Sequence, residues 1–73
     1  MVRIGTVLHG YCEGHFGRDA LGPKRVEAIG ADWIVARMEN GGIVTATFSY
    51  LPNASTELEE CLARWEKVPP EPD

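Results

Sequence analysis

Two histidines and a cysteine near the N-terminus are the residues of this chain best suited to metal chemistry. His9, Cys12 and His15 follow a His-x2-Cys-x2-His spacing inside a glycine-rich segment. Imidazole and thiolate are good zinc ligands, but a structural zinc site takes four protein ligands. The other cysteine, Cys61, falls on the apolar stripe of a predicted helix. We therefore treat His9, Cys12 and His15 as weak metal candidates and predict no metal and no other cofactor.

The same segment lacks the residues that catalysis requires. A cysteine nucleophile needs a base within reach and a group that orients that base. Histidines flank Cys12 at a distance of three residues, but no nucleophile elbow or oxyanion motif accompanies them. The glycines at positions 10, 14 and 17 match neither G-x-G-x-x-G nor a P-loop. The sequence therefore predicts no catalytic residue and a protein that is not an enzyme.

Aromatic and arginine side chains favour a different chemistry, the recognition of another protein. Trp, Tyr and Arg contribute most of the binding energy at protein interfaces. A long loop is predicted over residues 9–23, and loops of that length in small domains are often functional. The predicted partner-binding residues are Tyr11, Phe16, Arg18 and Trp33. Two alternatives stay open: Trp33 belongs to the core, and Phe16 anchors its own loop to the domain.

The charge balance disfavours nucleic acid as the partner. The 73 residues contain 7 basic and 11 acidic side chains, for a net charge of −4. Nucleic-acid binders neutralise phosphates with clustered Lys and Arg. A nucleic-acid-binding small barrel remains the alternative function, and it would need five residues on one surface. These are Arg3, Arg18, Lys24, Arg25 and Arg37.

Length and hydropathy predict one small cytoplasmic domain. Residues 1–67 form the predicted domain, and a chain of this size is marginally stable alone, so a homo-oligomer remains open. No apolar run approaches the ~20 residues of a membrane span, and the N-terminus lacks a secretory apolar region. We therefore expect no membrane partner and a cytoplasmic location.

Alternating apolar residues predict strands over 2–8, 24–29, 33–38 and 43–48. Asn40-Gly41-Gly42 is typical of a tight hairpin turn with two central residues. That turn would place two sets of three side chains on one face. The sets are Trp33, Val35 and Arg37 on one strand, and Val44, Ala46 and Phe48 on the next.

A C-terminal helix is predicted over residues 56–67 and packs on the sheet. Thr56 and Glu59 fit a capping box. The apolar stripe at i, i+3, i+4 and i+7 consists of Leu58, Cys61, Leu62 and Trp65. Prolines after the helix predict a disordered tail over residues 68–73. The fold class is therefore mainly β with one helix, α+β, as a small antiparallel barrel or a curled meander of 4–5 strands.

Residues 32–50 resemble the middle of an SH3-type barrel. Asp32-Trp-Ile-Val-Ala-Arg37, the glycine turn and Phe48-Ser-Tyr50 carry the resemblance. It implies the barrel architecture and an exposed Trp33. The whole chain also resembles short uncharacterised proteins of actinobacteria and their phages, which implies a phage accessory or host-modulating role. The leading hypothesis is a non-enzymatic protein-interaction module, and the second alternative is a small zinc-binding protein.

Overall fold

Four antiparallel strands, one α-helix and a short 3-10 helix over Cys12–Gly14 make up the computed structural model, which describes residues 2–69. The strands are β1 (Val7–Leu8), β2 (Lys24–Ile29), β3 (Trp33–Met38) and β4 (Ile43–Thr47), and the helix is α1 (Ala54–Trp65). The strand order in the sheet is β1-β2-β3-β4, so β1 and β4 are its edges. This architecture confirms the α+β class, and the sheet is a meander. Most of the predicted disordered tail, residues 70–73, lies outside the described residues.

The first strand is shorter than predicted. The chain turns at residues 3–6, where the Thr6 N–H donates to the Arg3 carbonyl at 3.0 Å. The Arg3 N–H in return donates to Thr6 Oγ1. Only Val7 and Leu8 pair with β2, through Arg25 and Lys24. The strand predicted over residues 2–8 is therefore wrong at residues 2–6, because the chain turns there. The Gly5 N–H and the Thr6 carbonyl of this turn still bond to the backbone of Val26 in β2, each at 2.8 Å.

The β3–β4 hairpin has a three-residue loop. This loop length changes which side chains of β3 and β4 share a face of the sheet, so the predicted assignment is wrong. The Met38 N–H donates to the Gly42 carbonyl at 2.8 Å, with Gly41 at φ 89° closing the turn. Ala36 consequently pairs with Val44. A shift of one residue moves every side chain of one strand to the opposite face. The predicted grouping of Trp33 with Val44 was wrong for this reason.

The core lies between the inner face of the sheet and a cover made by the 9–23 loop and α1. Ile34, Ala36, Ala46 and Phe48 are buried on the inner face. The Trp65 ring of α1 lies 6.3 Å from the Phe48 ring, measured between centroids. The loop contributes further buried side chains, which are Cys12, Phe16 and Ala20.

The helix packs as predicted, although its ends differ. Leu58, Cys61 and Trp65 are buried, and Leu62 packs against the core from the side. Helix α1 begins at Ala54, after Asn53 in the N-cap position, and ends at Trp65. The predicted capping box was wrong because Thr56 lies inside the first turn, two residues beyond the helix start.

Candidate functional site

The predicted partner-binding residues occupy opposite sides of the sheet. Trp33 is 39% exposed and pairs with Thr47, away from the core. Phe16 is buried against Trp65, with 5.6 Å between ring centroids, in the position expected for an anchor of its loop. Tyr11 and Arg18 are exposed on that same loop, which covers the inner face. The structure therefore separates Trp33 from the other three.

The weak metal candidates contact protein groups. The His15 ring stacks on Phe48 with 4.4 Å between centroids. Cys12 Sγ lies 3.8 Å from the His9 carbonyl oxygen and 3.9 Å from Lys24 Nζ. Burial raises the pKa of the Cys12 thiol, and the nearby Lys24 charge opposes that rise. Over residues 2–69, no three His, Cys, Asp or Glu side chains are grouped as metal ligands.

Lys24 is a fully buried cation that joins the two ends of the loop. Its side chain has no solvent exposure. Nζ donates to the carbonyl oxygens of Gly10 at 2.5 Å and Gly22 at 2.9 Å. It also lies 5.6 Å from the Phe16 ring centroid. Burial lowers the pKa of this amine. The carbonyls of Gly10 and Gly22 lie near the two ends of the loop. The hydrogen bonds from Nζ therefore hold these ends together, which is a structural role.

A carboxylate at the tip of the loop fastens it to the helix. Glu13 accepts hydrogen bonds from Trp65 Nε1 at 2.9 Å and from Arg64 Nη2 at 3.0 Å. Desolvation raises the pKa of Glu13, but the bonds from Trp65 and Arg64 outweigh it and lower the pKa overall. Cys12 and Glu13 have φ of 50° and 56°, a conformation that costs L-residues about 1–2 kcal/mol each. The contacts of Glu13 offset that strain.

The roles of Lys24 and Glu13 were not predicted from the sequence. Lys24 shares its strand parity with Val26, so the alternation of β2 already placed the two side chains on one side. The alternation alone therefore indicates the side of the sheet on which Lys24 lies. Glu13 and its partners are 51 and 52 residues apart in the chain. No local pattern connects residues at that separation, so only the tertiary structure reveals this contact.

We use "outer face" for the side of the sheet opposite the core. Its apolar members are partly exposed, with Val7 at 39%, Trp33 at 39% and Ile43 at 57%. Arg37 forms an ion pair with Glu27 on this face and donates to the Gly41 carbonyl at 2.8 Å. The full set comprises Val7, Arg25, Glu27, Ala28, Trp33, Val35, Arg37, Ile43, Thr45 and Thr47. A depression of about 340 Å³ lies at its β1–β2–β3 end.

The Trp33 indole is held in place by a glycine beneath it. A Cβ atom built on Gly30 would collide with the indole ring, so the ring lies directly against the Gly30 backbone. The Gly30 N–H donates to the Trp33 carbonyl at 2.8 Å, which fixes the two residues together. A side chain ordered before binding loses less entropy when a partner arrives.

A comparison of this chain with known protein families, with curated proteins and with solved structures finds no match. No helix in the described part of the chain has the length and apolar surface needed to cross a bilayer.

Proposed function

We propose that this protein is a non-enzymatic protein-interaction module that binds another protein through its outer face, with Trp33 as the main contact. The observation that carries the proposal is the Trp33 indole, which is held against Gly30 and remains 39% exposed. Tryptophan is the residue type most enriched among interface residues that dominate binding energy. Val7 and Ile43 add exposed apolar surface on the same face.

The charges of the outer face favour a protein over a nucleic acid. The alternative function required five basic residues on one surface, but Lys24 is fully buried. Arg37 is paired with Glu27. This leaves Arg25 as the one arginine of the outer face without an ion-pair partner among the described residues. Phosphate recognition needs a cluster of cations, whereas a mixed apolar and paired-charge surface is typical of protein interfaces.

Affinity capture with matched aromatic variants tests the proposal. The resemblance to proteins of actinobacteria and their phages makes an actinobacterial host protein the expected partner, so the tagged chain is incubated with actinobacterial lysate. Trp33→Ala should reduce recovery of the captured protein by at least about tenfold, since a dominant interface residue contributes about 2 kcal/mol or more. Tyr50→Ala is the control, because Tyr50 is 69% exposed but follows β4 outside the outer face.

Nuclease treatment in parallel separates the two classes of partner. Capture that survives nuclease and is lost in Trp33→Ala supports the outer-face module. Capture that disappears with nuclease supports nucleic acid instead. Equal recovery by wild type and by Trp33→Ala would show that the outer face is not the binding surface.

A further inference from the structure

Strand β4 has unpaired backbone groups along the edge that faces away from β3. The Phe48 N–H donates to the Asp32 carbonyl, and the Gly42 carbonyl accepts from Met38. The N–H and C=O groups of successive residues point to alternate edges of a strand. The backbone groups of the even-numbered residues from 42 to 48 therefore point toward β3. The N–H and C=O groups of Ile43, Thr45 and Thr47 therefore point away from β3. Within residues 2–69 these groups form no backbone hydrogen bond.

Strand β4 itself lacks the sequence features that usually prevent pairing at an edge. Natural edge strands are protected by charged side chains, prolines or bulges, or by an element that covers them. Strand β4 reads Ile-Val-Thr-Ala-Thr, with no charge and no proline. Its pairing with β3 is continuous from Trp33–Thr47 to Arg37–Ile43, without a bulge. The opposite edge differs, because β1 has only two residues.

We propose that β4 pairs antiparallel with β4 of a second copy of this chain, about a two-fold axis at Thr45. Thr45 would then face Thr45 of the other copy, and Ile43 would face Thr47 in both directions. The three residue pairs are all of the hydrogen-bonded type, in which each pair exchanges two bonds. The two sheets would join into one continuous sheet.

A second copy fits this edge for reasons of charge and of burial. A two-fold axis pairs the strand with a copy of its own sequence, and a strand without charges meets no like-charge repulsion there. The pairing would also cover part of Ile43, which is 57% exposed in the single chain. A chain of 73 residues has little core of its own, so it gains from added burial. The pairing does not require the outer face to bind another protein.

Charge variants at Thr45 test the axis directly. Sedimentation of the wild-type chain over about 10–500 µM should show the mass of two chains at the upper end, within the range of weak homodimers. Thr45→Lys and Thr45→Glu should each raise the dissociation constant at least about tenfold, because like charges would lie opposite each other. A 1:1 mixture of these two variants at low salt should restore the dimer. Ser55→Lys, on the exposed surface of α1, controls for charge alone.

A proline variant tests the hydrogen bonds rather than the charge. Thr45→Pro removes an N–H that points away from β3, so the monomer should keep its circular dichroism spectrum while dimerisation falls at least about tenfold. A monomeric wild type at 500 µM, or a dimer unaffected by the three Thr45 variants, would overturn the proposal. Loss of the dimer without rescue in the mixture would overturn the two-fold axis at Thr45.

Discussion

Replacing Lys24 with methionine should destabilise the fold although it keeps most of the buried volume. Methionine is unbranched and fills the space of the lysine stem. What the substitution removes is Nζ, and with it the hydrogen bonds to the carbonyl oxygens of Gly10 and Gly22. These two acceptors close the ends of the loop that covers the inner face of the sheet, so their loss weakens that cover.

The expected loss can be worked from the two contacts. A hydrogen bond from a charged donor contributes about 1.5–3 kcal/mol net, which makes about 3–6 kcal/mol for two. The lowered pKa of Lys24 shows that burial penalises its charge, so the lower end applies, about 3 kcal/mol. A domain of this length has a free energy of unfolding of about 4–11 kcal/mol. The midpoint of thermal unfolding should therefore fall by about 12–24 °C.

Urea unfolding followed by far-UV circular dichroism measures this loss. Lys67→Met is the matched control, because Lys67 is exposed beyond the end of α1, and it should change the free energy of unfolding by less than about 0.5 kcal/mol. Limited proteolysis should cut the 9–23 loop faster in Lys24→Met than in the control. If the two variants unfold at the same urea concentration, Lys24 does not stabilise the fold by fastening the loop.

Three further outcomes are expected from other buried contacts. Trp65→Ala should lower the free energy of unfolding by about 3–5 kcal/mol, measured by urea unfolding, since Trp65 is 3% exposed; wild-type stability would show that α1 does not pack on the sheet. The folded-state pKa of Glu13 is lowered, so its stabilisation is present above about pH 4.3 and is lost as pH falls through the lower folded value. The difference in stability between wild type and Glu13→Gln should therefore shrink between about pH 5 and pH 2, and a constant difference would contradict the contact with Trp65. Burial raises the pKa of the Cys12 and Cys61 thiols, so Ellman's reagent at pH 8 should modify them more slowly than free cysteine until urea unfolds the chain; rapid labelling of the native protein would contradict their burial.

The strands β2 and β3 could be predicted to the residue because their signals are local. Pro23 precedes β2, and Gly30 and Asn40 follow β2 and β3 within two residues. Strand β4 shows where local signals fail. Ile43 and Val44 are both apolar, so the alternation does not distinguish the inner face from the outer one. The face on which each β4 side chain lies depends on whether two or three residues form the turn. The hydrogen bond from the Met38 N–H to the Gly42 carbonyl leaves three residues in the turn.

The candidate site was predictable only in its residue types. An exposed Trp33 was implied by the resemblance to SH3-type barrels, and the structure leaves that side chain 39% exposed. The other members of the outer face come from four strands, and their shared side follows from the register of all three strand pairs. Tyr11 and Arg18 were predicted to lie with Trp33, but the loop that carries them covers the opposite face.

The sequence by itself determined the mainly β class, the meander of strands and the amphipathic helix, since these depend on periodicity and on turn residues within short windows. The tertiary structure alone decided that the Lys24 amine is fully enclosed and that Glu13 meets Trp65. It also decided between the core and exposed positions that the sequence left open for Trp33. Each of these depends on contacts between separate segments of the fold. The free energy of such contacts arises from burial and hydrogen bonding between segments, and it outweighs local preferences such as the exposure usual for lysine.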